Sequence, residues 1–192
     1  MSKKKKTEHR FKDWVLDSQG EVDFCHYLQE LKDNGFVEKF TRGETKKLSD
    51  SMTNIFPVKL KTKTVKRVKN ILQPHEYTYD FNIFWSQKGI KYFCSRFEQE
   101  DWTKPFLLNS HSMSFIENKP EFDFANMTRL VGLNIKWMWQ NYGIFVQLVK
   151  NRELFEETFT PKAILKTKTG KTRVFKHKVK TLQEYLKTID ND

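Results

Sequence analysis

The stretch SMSFIENKPEFDFANMTRLVGLNIKWMWQNYGIFVQLV, residues 112–149, decides the fold. Ser112 to Ile116 alternate between polar and apolar residues, the pattern of a short strand. Glu117 and Lys119 stand two apart at its end, so an extended backbone turns both toward one face of a sheet. Pro120 ends the ladder, and Asp123 is placed to cap a helix. Phe124, Met127, Val131, Ile135, Met138 and Tyr142 then recur at steps of three and four, which predicts one helix with a single apolar stripe. Gly143 is its expected C-cap, and IFVQLV reads as a buried strand. Strand, helix and strand in that order predict a right-handed crossover.

Working outward, 192 residues suffice for a sizeable core, and one domain with extensions is expected. The net charge of +11 comes from 35 Lys and Arg against 24 Asp and Glu, a surplus of bases and not a shortage of acids. That balance favours polyanionic partners, nucleic acid before anionic membrane. No run approaches the ~18 consecutive apolar residues of a membrane span. The N-terminal charge run has no apolar segment behind it, as a signal peptide would. Cys25 and Cys94 lack ligand spacing for zinc and are read as reduced thiols of a cytoplasmic protein.

Residues 1–17, opening MSKKKKTEHRFK, form a basic tail that is either a solvated lead or a DNA-contacting arm. EVDFCHYLQELKDNG then predicts a helix with Val22, Cys25, Leu28 and Leu31 or Lys32 on its stripe, ended by Gly35. Glu21 has two readings. In Ser18-x-x-Glu21 it completes a capping box; alternatively it is a metal-binding acid at the base of the first helix. Phe36 to Phe40 and Asn54 to Leu60 read as strands around a polar loop, Arg42 to Thr53. Lys59, Lys61, Lys63, Lys66, Arg67 and Lys69 follow with no acid among them, so they repel one another unless an anion lies against them. Phosphate contact is the expectation.

In HEYTYDFNIFW, Tyr77, Tyr79, Phe81 and Ile83 alternate with Thr78, Asp80, Asn82 and Phe84, a second strand. Asp80 is expected mid-strand among bulky neighbours, where a carboxylate without a partner is costly. It is either an exposed-face residue of an edge strand or a metal ligand. GIKYFCSRF is expected to pair with this strand as a hairpin, and Glu98 to His111 to form a long polar loop.

Tyr79-Asp80 on one strand, Glu117-Asn118-Lys119 on a later one, and the helix and strand that follow resemble the PD-(D/E)xK nuclease superfamily, in particular phage-type endonucleases and Holliday-junction resolvases. Glu21 in the first helix completes the pattern, and the resemblance covers residues 18–149. It implies an α/β fold with a central mixed sheet flanked by helices, a restriction-endonuclease-like core. The interval between Asp80 and Glu117 then holds an inserted hairpin, Gly89 to Ser110. It further implies a phosphodiester hydrolase in which Asp80, Glu117 and the Asn118 carbonyl hold Mg²⁺ or Mn²⁺. Glu21 supports a second ion or a bound water, and Lys119 orients the attacking water or offsets developing charge. An ordinary ion pair is the plain alternative for Glu117 and Lys119.

Asn126, Arg129, Lys136 and Gln140 share the opposite face of the long helix, read as solvent-facing or reaching for DNA, while Trp137 and Trp139 are read as core or interface. After the core, 18–150, residues 151–192 are expected as a basic appendage packed on it. NRELFEETF is a short helix. A hairpin around Thr169-Gly170 carries Lys166, Lys168, Lys171, Arg173, Lys176 and Lys178 as a second DNA surface. A last helix has Leu182, Tyr185, Leu186 and Ile189 inward. No stretch reads as a base-reading recognition helix, so the expected substrate is branched DNA selected by shape. Cutting a branch takes two active sites, which points to a homodimer; a protein partner in a recombination or packaging complex is the other expected contact. A phage or mobile-element origin and a host cytoplasmic location go with that reading. Two alternatives stay open: a transposase-type end-processing endonuclease, and a non-catalytic nucleic-acid-binding protein.

Overall fold

The structure, a computed structural model, describes residues 8–96, 103–109, 112–119, 127–167 and 169–190. In chain order the elements are β1 (His9–Phe11), β2 (Trp14–Leu16), α1 (Gln19–Asp33), β3 (Val37–Arg42), β4 (Thr45–Ser49), β5 (Met52–Lys59) and β6 (Thr64–Leu72). There follow β7 (His75–Thr78), β8 (Phe81–Trp85), α2 (Gln87–Phe93), β9 (Cys94–Arg96), β10 (Phe106–Leu108) and β11 (Met113–Lys119). The chain closes with α3 (Met127–Tyr142), β12 (Val146–Lys150), α4 (Asn151–Glu157) and α5 (Leu182–Ile189). Asp123, Phe124, Asn126, Pro120 and Lys168 lie outside the described residues, as does the side chain of Met127.

The central element is a mixed four-stranded sheet in the order β12-β11-β8-β3. β8 pairs antiparallel with both β3 and β11, and β12 joins β11 in parallel. Parallel neighbours need a long connection, and α3 lies within it. Gly143 leaves α3 at a φ of 63°, a left-handed turn that a side chain disfavours, and its N–H closes on the Trp139 carbonyl. The chain is therefore α/β, as the sequence predicts.

Two apolar layers cover the sheet. On one side α1 buries Val22, Phe24, Cys25, Tyr27, Leu28 and Leu31 in a cluster with Phe81, Ile83, Trp85 and Ile116. The buried face of α1 is wider than its predicted stripe, while Lys32 stays exposed. Phe155, Phe159, Ile164, Leu182 and Tyr185 join the same cluster. Tyr27 stacks on Phe159 at 4.5 Å between centroids. On the other side Met138 of α3 packs with Val146, Leu48, Tyr77 and Tyr79.

Several expectations need correction. Residues 8–17 are not a tail: β1 and β2 pair as a hairpin and bury Phe11 and Leu16 in the α1 cluster. The polar loop after Arg42 contains β4, which pairs with β7. GIKYFCSRF is not a partner strand; it forms α2, capped by the Ser86 hydroxyl, and then β9. β9 pairs in parallel with β10, so an expected loop holds buried Phe106 and Leu108, and the described residues of the expected insertion form no hairpin. The C-terminal basic hairpin shrinks to one bridge, Lys166 to Thr172, with irregular chain from Arg173 to Lys180. Tyr142, expected inward, is 42% exposed and donates its hydroxyl to the Lys47 carbonyl. Trp137 and Trp139 are exposed and do not belong to the core.

Asp80 is not in the middle of a strand. The ladder breaks at Tyr79-Asp80: β7 before it pairs with β4, and β8 after it pairs with β3 and β11. Tyr77, Tyr79, Phe81 and Ile83 are all buried, as is Asn82 between the last two, yet Tyr77 and Tyr79 face one apolar layer while Phe81 and Ile83 face the other. The break passes the chain from layer to layer and leaves Asp80 at the crossing.

Candidate active site

Backbone contacts fix the crossing. The Asp80 N–H donates to the Ile116 carbonyl at 3.0 Å, and its own carbonyl accepts from the Gly43 N–H at 2.8 Å. A Cβ on Gly43 would lie 1.8 Å from the Tyr79 carbonyl oxygen, so only glycine admits this approach. The Asp80 side chain then reaches β11, where Oδ2 accepts from the Asn118 N–H at 2.7 Å.

On β11 the two-residue spacing acts as predicted. Glu117 and Lys119 share a face, with Lys119 Nζ 2.6 Å from Glu117 Oε1. Glu117 is buried, and its Oε2 accepts the Tyr77 hydroxyl at 2.8 Å. Glu21 is buried as well, and its contacts bear on the capping reading. Ser18 caps α1, its Oγ accepting from the Glu21 backbone N–H, while Glu21 Oε1 accepts from the Ser18 hydroxyl at 3.1 Å. Its Oε2 also takes an ion pair from Arg42 Nη1 at 2.9 Å.

Asn118 links these parts. Its side-chain amide donates to Asn151 Oδ1 at 2.6 Å, and Asn151 Nδ2 donates to the Gly20 carbonyl at 2.6 Å. One chain of bonds thus runs from the start of α1 through the start of α4 to β11 and Asp80.

The electrostatics follow from this crowding. Burial first, then the Glu117 charge, then Glu21, push the Asp80 carboxyl up to about 7, against the opposing Asn118 N–H and Lys119. Burial alone would lower Lys119, but its bond and charge pairing with Glu117 prevail, with Asp80 and Glu21 adding to them, and the ammonium is held above its usual range. Burial and the Glu117 carboxylate push the Tyr77 hydroxyl far up, so it acts as a donor.

The structure therefore brings Asp80, Glu117, Lys119 and Glu21 into one electrostatic group, from the β7–β8 junction, β11 and α1. Tyr77, Arg42, Gly43 and Asn151 belong to it without having been read from the sequence. Tyr77 was visible as a buried aromatic, but its hydroxyl contact depends on β7 folding over β11. Arg42 and Asn151 carried no local signal, because their partners lie 21 and 131 residues away along the chain.

Among the described residues, no three Asp, Glu, His or Cys side chains are set out as a finished cation cage. The donor types nevertheless suit a hard divalent ion, which prefers carboxylate and carbonyl oxygens. Only Oδ2 of Asp80 is engaged among the described residues, leaving Oδ1 as a ligand oxygen. A cation between Asp80 and Glu117 would also relieve the crowding that raises Asp80.

The basic residues lie elsewhere. Lys59, Lys61, Lys63, Lys66, Arg67 and Lys69 are all exposed on β5, β6 and their loop. Arg129, Lys136 and Gln140 are exposed on α3. Lys166, Lys171, Lys176 and Lys178 are exposed near the C-terminus, whereas Arg173 turns back to pair with Asp23 at 3.1 Å. Among the described residues no helix is long and apolar enough to cross a membrane. Comparison with protein-family models, curated proteins and solved structures returns no match.

Proposed function

We propose that this chain is a Mg²⁺-dependent DNA endonuclease that hydrolyses phosphodiester bonds at Asp80, Glu117 and Lys119. The observation that carries the reading is the convergence of two acids and a lysine at a break between strands, with Asp80 held at about 7 by its neighbours. Buried like charges destabilise a fold, and a chain that keeps them together has a use for them. Asp80 and Glu117 would hold the ion, whose chemistry is activation of water and neutralisation of charge on the scissile phosphate. Lys119, fixed by Glu117, presents an ammonium where a phosphate oxygen gains charge. Tyr77 holds the second Glu117 oxygen in place, and Arg42 pairs with Glu21 beside the other acids. The exposed basic runs supply phosphate affinity.

A second reading is a DNA-binding protein without catalysis. It is favoured by the two existing ion pairs, Glu117–Lys119 and Glu21–Arg42, which already neutralise two of the three acids.

Relaxation of supercoiled plasmid in Mg²⁺ and in EDTA separates the two. Mg²⁺-dependent nicking is expected, with Glu117→Gln and Lys119→Ala each slowing it at least ~100-fold while duplex affinity is retained. No Mg²⁺-dependent cleavage by the intact chain, or full activity in Glu117→Gln, would overturn the nuclease reading.

A further inference from the structure

Among the described residues β5 and β6 pair only with each other, as a regular antiparallel ribbon from Thr53–Asn70 to Lys59–Thr64. From Met52 to Leu72 every residue is exposed except Val58 and Val65, which are half-buried and face each other across the ribbon. Nothing in the described chain covers either face. A two-stranded hairpin alone in water is marginally stable, and this one also exposes Ile55, Val68, Ile71 and Leu72. It bears six cations and no acid, and none of the six makes an ion pair or side-chain hydrogen bond among the described residues. Such a ribbon is complementary to a polyanion.

Register decides what it presents. Directly opposed residues share a face, and faces alternate along each strand. One face therefore carries Asn54 opposite Lys69, then Phe56 opposite Arg67, then Val58 opposite Val65. Arg and Lys pair with guanine, Asn with adenine, and an apolar side chain packs on the thymine methyl. All of these types stand in two consecutive cross-strand pairs. Lys59 and Lys66 stand on the other face, and Lys61 and Lys63 in the turn that closes with Leu60 N–H on the Lys63 carbonyl.

We propose that the β5–β6 ribbon enters the major groove of duplex DNA and reads sequence through Asn54, Phe56, Arg67 and Lys69. This rests on DNA being the partner, and it replaces selection by shape alone with a direct readout. The B-form major groove admits a two-stranded ribbon, whereas that of A-form RNA is too deep and narrow. Successive residues on one face are about 7 Å apart, or roughly two base-pair steps of 3.4 Å, so the two pairs cover about four base pairs. Lys61 and Lys63 contact phosphates and carry no sequence information.

The test is selection from a random duplex pool by the intact protein in EDTA, followed by titration of the enriched sequence at several salt concentrations. The expected result is an enriched core of about four base pairs containing guanine. Arg67→Ala should cut the preference at one position ~10-fold or more. Lys63→Ala should weaken all sequences alike and lower the salt slope by about one. Absence of an enriched core, an unchanged core in both Arg67→Ala and Asn54→Ala, or equal affinity for duplex RNA of that sequence would each overturn the proposal. Binding in EDTA requires no cleavage, so a failed plasmid assay leaves this inference standing, and a failed selection leaves the nuclease reading standing.

Discussion

Replacing Asp80 by Asn should abolish cleavage and make the protein more stable. Asp80 ionises at 3.8 in an unfolded reference and at about 7 in the folded chain. A raised acid pKa works against folding. Below pH 3.8 both states hold the proton and there is no penalty; as pH rises the unfolded state releases it first, and the penalty is complete above about 7. Each unit is 1.36 kcal/mol, so the full penalty is about 4 kcal/mol, of which roughly 2.7 kcal/mol develops between pH 5 and pH 7. Asparagine carries no charge to desolvate, and its oxygen still accepts the Asn118 N–H that Asp80 Oδ2 now accepts at 2.7 Å. Urea denaturation of wild type and Asp80→Asn, both in EDTA, at pH 5, 7 and 8.5 measures the effect. The variant's advantage should widen by about 2–3 kcal/mol from pH 5 to pH 7 and then level off. Millimolar Mg²⁺ should stabilise wild type at pH 8.5 and leave the variant unchanged. An advantage independent of pH, or a variant less stable at pH 8.5, would refute the crowding of Asp80 by Glu117 and Glu21.

Tyr77→Phe removes the hydroxyl that donates to buried Glu117 at 2.8 Å. It should cost about 1.5–3 kcal/mol in urea denaturation, the range for hydrogen bonds to charged groups, and lower Mg²⁺-dependent cleavage without changing duplex affinity. Burial pushes the Cys25 thiol up to about 12 and raises Cys94 as well. Ellman's reagent at pH 8 should therefore find neither thiol in the native protein and both in urea; rapid native labelling would show the α1 layer to be open.

How much of this was legible in the sequence depends on how local each cause is. The crossover of β11, α3 and β12 was readable because periodicities of two and 3.6, a proline and a glycine are properties of neighbouring residues. The pairing of Glu117 with Lys119 was readable for the same reason, since two-residue spacing on a strand puts side chains on one face. The Ser18–Glu21 cap was likewise written within four residues. The C-terminal helix was as well, with Thr181 and Glu184 forming a full capping box. The expected pairing of GIKYFCSRF failed because a seven-residue helix is too short to show its period, and Ser86 and the packing of Phe93 and Gly89 decide its form.

The break at Asp80 had no local signal at all. Tyr77, Tyr79, Phe81 and Ile83 alternate without interruption, and only the competition of β4 with β3 and β11 for the two halves of that segment splits it. The company Asp80 keeps was equally hidden, since Asn118, Gly43 and Glu21 meet it from 38, 37 and 59 positions away along the chain. The sequence by itself determined which residues were apolar, where α1 and α5 began and where α3 ended, and that bases outnumber acids. Tertiary structure alone decided which acids share a desolvated space, because desolvation and Coulomb energy depend on distance through space and not along the chain.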